Sequence, residues 1–176
     1  MELNQRSIAA NLALGAVAGA AATWVMGKAT TYLYEHESRE AREREDSARG
    51  EKSAYEVAAE KAADLLGRQL SEEERKEAGS AIHWALGVGS GAVYGALRPR
   101  IGGGWASAAL FGAAVWLLMD EVGNVALGLT PGPSAFPWQA HARGLAGHLV
   151  LGLAVEGVLR AEEESSSLAG LIRAVS

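Results

Sequence analysis

The stretch WLLMDEVGNVALGLTPGPSAFPWQAHARGLAGH, residues 116–148, carries ionisable side chains within two long apolar segments that a proline-rich loop connects. Six polar residues lie in or beside these segments: Asp120, Glu121, Asn124, His141, Arg143 and His148. Charged groups are costly at the depth of a lipid bilayer, where they commonly mark ion or proton chemistry. The stretch therefore predicts a membrane protein with a polar cluster inside a helical bundle.

Four segments have the length and composition of membrane-spanning helices. At about 1.5 Å rise per residue, roughly 20 apolar residues cross the hydrocarbon core of a bilayer. The four segments are residues 8–28, 78–97, 105–127 and 138–160. The sequence thus predicts an all-α fold, a four-transmembrane-helix bundle that forms one integral membrane domain over residues 1–176. A cleaved signal peptide is the rival interpretation of the first segment.

Glycine lines one face of each of the first two segments. Gly15 and Gly19 form a GxxxG pair, while Gly87, Gly91 and Gly95 repeat at intervals of four residues. This spacing lets the backbone of another helix approach closely. The five glycines predict tight helix packing, either within the bundle or between the copies of a homo-oligomer.

The connection between the first two spans, residues 35–76, is strongly charged. Its first part has three Glu–Arg pairs spaced four residues apart, which predicts a helix leaving the membrane with a solvated charged face. Ser53 and Glu56 then form a capping-box pattern. The short amphipathic helix that follows is expected to lie on the membrane surface or to fold back over the helix ends. Ser71 and Glu74 repeat the capping pattern before the second span.

Proline and ion-pair patterns mark the predicted ends of the later spans. Pro99, between two arginines, is expected to end the second span at the interface. Three prolines between residues 131 and 137 predict a stiff, extended loop before the fourth span. Near the far end of that span, Glu156 and Arg160 have the spacing of a helix-end salt bridge whose long side chains reach toward water.

Up-down connectivity brings polar residues of three helices to the same end of the bundle. Five of them are predicted to form the site: His83, Asp120, Glu121, His141 and His148. Three more are expected to support it: Lys28, Asn124 and Arg143. Asp120 and Glu121 are neighbours, so on an α-helix they diverge by about 100° and only one is expected to point into the cluster.

The cluster has four interpretations. Histidines and carboxylates in a chain at membrane depth are typical of a proton or ion path. The same groups are ligands for a divalent metal ion, the first cofactor candidate. Haem b held between two histidines is the second, although glycine-dense interfaces leave little room for a macrocycle. In a purely structural alternative, Asp120 or Glu121 pairs with Arg143 or Lys28, and the histidines hydrogen-bond across helices.

Composition excludes several other functions. The net charge of −5 argues against nucleic acid as a partner, and the lipid bilayer is the partner that the sequence indicates. The chain contains no cysteine, so disulfides, thiol catalysis and iron–sulfur ligation are excluded. It also lacks a G-x-S-x-G nucleophile elbow, and no lysine-containing phosphate loop follows the glycines at 102–104. No catalytic residue is predicted.

Four stretches carry a resemblance to a known family: GAVAGAAATWVMGKATTYLYE, AIHWALGVGSGAVYGALRPR, WLLMDE and PGPSAFPWQAHARGLAGH. They resemble the YagU-like family of small bacterial inner-membrane proteins, and the resemblance extends from the first span to the fourth. It implies a multi-pass protein of the bacterial inner membrane with a poorly defined function. It also implies an association with acid tolerance, which is attached to one member, and it brings no catalytic residues.

The sequence therefore predicts an integral inner-membrane protein with a buried His/Asp/Glu cluster near one membrane face. The cluster is expected to handle protons or a divalent metal ion in a channel-, transport- or acid-tolerance-type role. One alternative is a membrane haem- or metal-cofactor protein with redox or enzymatic activity. The other is a structural membrane protein without a site.

Overall fold

The computed structural model describes residues 7–175, and every regular element in this part of the chain is helical. The α-helices are α1 (Ile8–Glu35), α2 (Arg39–Arg49), α3 (Ala54–Leu65), α4 (Glu72–Ile101), α5 (Gly104–Trp116), α6 (Asn124–Ala126) and α7 (Trp138–Val175). A π-helical segment, Leu117–Gly123, joins α5 to α6, and a 3-10 turn, Pro133–Ala135, precedes α7. The all-α class and the helical bundle are confirmed. Residues 1–6 and 176 of the predicted domain lie outside the described residues.

Helices α1 and α7 form the centre of the bundle. α1 packs against α4 on one side and α7 on the other, and α7 in turn packs against α5. The core consists of Ala18, Ala22, Tyr94, Ala108, Leu151, Val155 and Leu159. Small residues at the helix contacts allow close approach, while many large apolar side chains face outward, as lipid-facing residues do.

Three of these helices are long and apolar enough to cross a membrane. They are Ile8–Glu35, the continuous helix Gly104–Ala126, and Trp138–Gly170. Helix α4, which contains the predicted second span, is not among them. Acidic residues fill its first turn and glycine recurs along its middle, so its mean hydropathy is lower. Length and composition therefore support three of the four predicted spans.

The glycine faces of α1 and α4 meet each other within the chain. A Cβ atom built on Gly19 would lie 2.7 Å from the carbonyl oxygen of Gly87, and one on Gly91 would lie 2.7 Å from the Gly19 nitrogen. Gly15 and Gly95 would clash with backbone in the same way. Of the two sequence-based alternatives for these glycines, the structure contains the contact inside the bundle.

A second close contact, between α5 and α7, is not anticipated by the sequence analysis. A Cβ on Gly112 would overlap the backbone of His148, and one on Gly152 would overlap the backbone of Ala108. The sequence contains only a weak signal of this contact: Ala108 and Gly112 are four residues apart, but they are not part of a longer glycine repeat. This contact holds the third predicted span against the fourth.

The charged connection is more compact than the sequence suggests. The helix ends at Glu35 and restarts at Arg39, where Ser38 caps α2. Of the three predicted Glu–Arg pairs, only Glu45 with Arg49 forms an ion pair in the described chain. Glu45 is 1 % exposed. The expectation of a solvated charged face is therefore wrong at this residue, because α2 packs beside the start of α7.

Helix α3 folds back over one end of the bundle. Both predicted capping boxes are present, at Ser53 with Glu56 and at Ser71 with Glu74. Glu56 packs where α4 has Gly79, since a Cβ on that glycine would lie 3.1 Å from the Glu56 nitrogen. α3 therefore lies against the first half of α4, above the residues that line the predicted site.

Docking of α3 is expected to depend on pH through Glu56. Hydrogen bonds from the Ser53 N–H and hydroxyl, both 2.8 Å, lower the pKa of Glu56, and Arg75 adds to this. Because the folded-state pKa is depressed, the stabilisation is present above the unfolded value of about 4.3 and is lost as pH falls through the folded value. We expect amide exchange of residues 54–65, corrected for intrinsic rates, to increase at acidic pH in the wild type.

The matched comparison uses the two capping boxes. Glu56→Gln should weaken the docking of α3 by about 1 kcal/mol and reduce its pH dependence, the rest of which comes from Glu60 paired with Lys52 and Arg75. Glu74→Gln, which alters the box of α4, should leave the exchange of α3 unchanged. Equal pH dependence in the wild type and in Glu56→Gln would contradict this assignment.

The helices that contain the second and fourth predicted spans end later than the sequence predicts. Pro99 does not end the second span: it lies within the last turn of α4, which continues to Ile101. Gly102, Gly103 and Gly104 then turn the chain with φ values of 86°, 58° and 92°, which residues with a Cβ rarely adopt. At the other end of the sequence, α7 continues past residue 160 to Val175.

Candidate functional site: a histidine–carboxylate cavity

The end of the third predicted span winds more loosely than an α-helix. In the segment Leu117–Gly123, the Asn124 N–H bonds to the carbonyl of Met119, five residues back. Gly123 permits this, because a Cβ there would lie 2.7 Å from the Leu118 carbonyl oxygen. Segments of this kind frequently occur at functional sites.

A cavity of about 360 Å³ lies beside this segment, at the end of the bundle covered by α2, α3 and the proline-rich loop. Six of the predicted site and supporting residues line it: His83, Asp120, Glu121, Asn124, His141 and Arg143. The expectation that only one of the two neighbouring carboxylates points into the cluster is wrong, because both line the cavity, Asp120 near His148 and Glu121 against His141.

His141 connects the π-helical segment to the proline-rich loop. Its Nδ1 lies 2.6 Å from Oε1 of Glu121, and its Nε2 lies 3.0 Å from the carbonyl oxygen of Pro133. A carbonyl only accepts, so Nε2 carries a proton. The remaining proton lies between Nδ1 and the carboxylate, which makes the pair either imidazolium with carboxylate or imidazole with carboxylic acid. The two residues thus share one exchangeable proton.

Asp120 lines the same cavity and lies near His148. His148 is 6 % exposed, and its Nδ1 donates to the carbonyl of Gly144 at 2.9 Å. The same nitrogen is 3.6 Å from Oδ2 of Asp120, too far for a hydrogen bond. Asp120 makes no other polar contact within residues 7–175. Its carboxylate therefore borders the cavity without a hydrogen-bond donor.

Arg143 does not pair with Asp120 or Glu121, as the structural alternative proposed. It donates to both oxygens of Glu45, at 2.6 and 2.5 Å, and also to Glu37. These partners are about a hundred positions away in the chain, so helical spacing gives no signal of them. Arg143 therefore anchors α2 to α7.

Lys28 does not join the cluster either. Its side chain is exposed, with the ammonium nitrogen 5.8 Å from the centre of the Trp24 ring. It does not line the cavity. The sequence predicts how far along α1 Lys28 lies. Which side of the bundle it faces depends on how α1 packs against α4 and α7.

Aromatic residues complete the walls. Tyr55 of α3 packs against His83, with ring centroids 5.1 Å apart, and Trp116 and Phe136 line other parts of the cavity. Burial, with a smaller contribution from the charge of Asp120, raises the pKa of Tyr55 to about 12, so its hydroxyl stays protonated. The sequence analysis missed Tyr55 as a site residue, because it was read as part of a surface stripe.

The cofactor candidates find little support in this geometry. Over residues 7–175, no group of three or more histidine, aspartate or glutamate side chains is arranged to hold a metal ion. Both ring nitrogens of His141 are occupied by Glu121 and Pro133, so this histidine offers no lone pair to a metal or haem iron. Metal and haem binding remain sequence-based predictions.

A second buried charge lies at the opposite end of the bundle. Glu156 is 0 % exposed and accepts hydrogen bonds from Tyr94, Arg98, Arg160 and the N–H of Gly104. The predicted pair with Arg160 exists, but the snorkelling interpretation is wrong because Glu156 is the centre of the network. The partners come from α4 and from the following turn, which sequence spacing does not relate to α7.

Comparisons with protein-family models, with curated proteins and with solved structures find no match to this chain. The resemblance to the YagU-like family is therefore an expectation from the sequence, and the function is argued from the geometry of the site.

Proposed function

We propose that this chain is a four-span protein of the bacterial inner membrane. α1 is apolar enough to span, and α4 lies against it at the depth of Gly19 and Gly91, so the two helices share the same depth. α4 also exposes Val93 and Leu97, as a lipid-facing helix would. A tight turn then leads from α4 into α5, another candidate span. The bacterial inner membrane is supported by the sequence resemblance alone.

The cavity, in this proposal, takes up and releases protons at one membrane face. The observation that carries it is the 2.6 Å contact between Glu121 and His141. An imidazole that bonds to a carboxylate on one side and to a carbonyl on the other holds a proton whose position depends on pH. Asp120 and His83 are further titratable groups that line the cavity, and His148 lies 3.6 Å from Asp120.

Proton exchange would involve one face only. Between His148 and Glu156, α7 contributes Leu151 and Val155 to the apolar core. Tyr94 and Phe111 close the gap between α4 and α5, with ring centroids 5.1 Å apart. Within the described residues, Tyr94 is the one titratable member of this core cluster, and its hydroxyl bonds to Glu156 at the opposite end. The arrangement favours acid sensing or proton storage over a continuous channel.

Proton uptake by the purified protein tests this function. After a pH jump from 8 to 5 in mild detergent, the wild type is expected to bind about one proton per chain more than Glu121→Gln/His141→Gln, which removes both groups that share the proton. Glu163→Gln is the control, because this exposed carboxylate pairs with Arg98 at the opposite end. Equal differences from the wild type in the two variants would remove the cavity from the proposal.

Proton flux separates sensing from transport. In liposomes with an imposed pH gradient, we expect flux no greater than in empty liposomes, because the apolar layer separates the two ends of the bundle. A flux that Glu121→Gln and His141→Gln abolish would contradict the one-sided reading and favour transport.

A further inference from the structure

The lining of the cavity contains, besides Glu121, polar atoms without hydrogen-bond partners among the described residues. Asp120 accepts no hydrogen bond from the described chain, and its closest cationic partner is the His148 nitrogen at 3.6 Å. The indole N–H of Trp116 is buried and has no acceptor among the described residues. Tyr55 lines the same cavity, and its hydroxyl makes no hydrogen bond in this part of the chain. Buried polar groups are ordinarily satisfied, so the Trp116 N–H requires an explanation, while the Asp120 side chain is 31 % exposed and accessible from the cavity.

No lysine or arginine of the described chain is available to Asp120, whose one ion-pair partner there is His148 at 3.6 Å. Lys28 lies outside the bundle. Arg49 and Arg143 also line the cavity, but both are bound to Glu45, and Arg143 also binds Glu37. The two positive charges of these arginines are balanced by the two negative charges of Glu37 and Glu45. An anion therefore finds no unpaired positive charge in the cavity, whereas a cation finds the carboxylate of Asp120.

Aromatic residues line the same cavity as this carboxylate. Trp116 precedes it by one helical turn, and Tyr55 is close enough for the charge of Asp120 to raise its pKa. His83 packs against Tyr55, with the two rings tilted by 57°. Aromatic faces attract cations, and the attraction strengthens when the cation leaves water. A carboxylate beside several aromatic rings is the composition that binds organic ammonium groups.

We propose that this cavity binds a small organic cation, with the ammonium group at Asp120 and against Tyr55 and Trp116. A cavity of about 360 Å³ is large enough for such a molecule. A bare divalent ion is a poorer occupant, since the described residues offer no set of three ligands. The inference rests on the proposed function for the position of the cavity in the membrane, although it does not require Glu121 and His141 to titrate.

The experiment compares a cation with a neutral molecule of the same shape. Choline chloride and 3,3-dimethylbutan-1-ol are titrated by calorimetry into the full chain in mild detergent, against sodium chloride at equal ionic strength. We expect saturable binding of choline and none of the alcohol. Equal binding of both molecules, or binding of neither, would overturn the proposal.

Substitutions locate the site. Asp120→Asn is expected to weaken choline binding at least about thirtyfold, as loss of a buried charge partner does. Tyr55→Leu is expected to weaken it roughly two- to thirtyfold, and it decides the question if Asp120→Asn does not fold. Glu163→Gln, in the Arg98 network, should bind like the wild type. Unchanged affinity in both cavity variants would reject this site.

The same proteins separate this inference from the proposed function. The double variant Glu121→Gln/His141→Gln reports on proton uptake, whereas Asp120→Asn and Tyr55→Leu report on choline binding. Proton uptake without choline binding would reject only the cation site, and choline binding without proton uptake would reject only the proton function.

Discussion

Replacement of Glu156 by alanine is expected to lower the free energy of unfolding by about 3–5 kcal/mol, the range for removing one partner of a buried ion pair. Its carboxylate is 0 % exposed and accepts five hydrogen bonds, from Tyr94, Arg98 (two), Gly104 and Arg160. Alanine would leave two guanidinium groups and a phenol facing an empty space. The network joins α4, α5 and α7, so its loss should loosen the end of the bundle opposite the cavity.

Equilibrium unfolding of detergent-solubilised protein, followed by circular dichroism, measures this effect. Glu163→Gln is the matched control, because it removes a partner of Arg98 that is half exposed, at 49 %. That variant is expected to lose no more than about 1 kcal/mol. Similar losses of unfolding free energy in the two variants would show that the burial of Glu156 does not determine the size of the effect. A Glu156→Gln variant retains the side-chain volume and tests the charge separately.

Gly91→Ala is expected to be the second most damaging single change, at about 1–3 kcal/mol from overpacking. An added Cβ would lie 2.5 Å from the Gly19 Cα and 2.7 Å from its nitrogen. Backbone atoms cannot rotate away as a side chain can, so α1 and α4 would have to separate. Since small residues let these helices pack, the substitution should weaken their whole contact.

Gly89→Ala provides the control on the same helix. A Cβ at Gly89 meets nothing within 4 Å, so the same chemical change there adds no contact. Alanine also has the higher helix propensity, and this variant should be at least as stable as the wild type. Thermal unfolding of the two variants in one detergent compares them directly. Equal stability would mean that the α1–α4 contact is looser than its geometry indicates.

Periodicity and composition were sufficient for the helices and for part of their packing. Apolar length predicts the bundle, and the glycine repeats identify the faces on which α1 and α4 meet. Capping residues locate the starts of α3 and α4, because a serine and a glutamate three positions apart satisfy N–H groups locally. Such features depend on residues close in sequence, so they can be read without the fold.

The candidate site could be predicted only in outline. Helix depth brings His83, Asp120, Glu121 and His141 to one end, since connectivity and rise per residue fix how far along each helix a residue lies. The direction of each side chain is not fixed in this way. Asp120 and Glu121 both line the cavity, beside two histidines of α7, and no local pattern reveals this arrangement.

Charge partners were decided by the tertiary structure alone. Arg143 with Glu45, and Glu156 with Arg98, are joined across about 98 and 58 positions of the chain. The sequence offers helical neighbours for Glu45 and Glu156, and for Arg143 only carboxylates at a similar depth on another helix. The sequence by itself determined an apolar helical chain with a polar cluster at one end. Which carboxylates are neutralised, and which one borders the cavity without a hydrogen-bond donor, follows from how the helices pack.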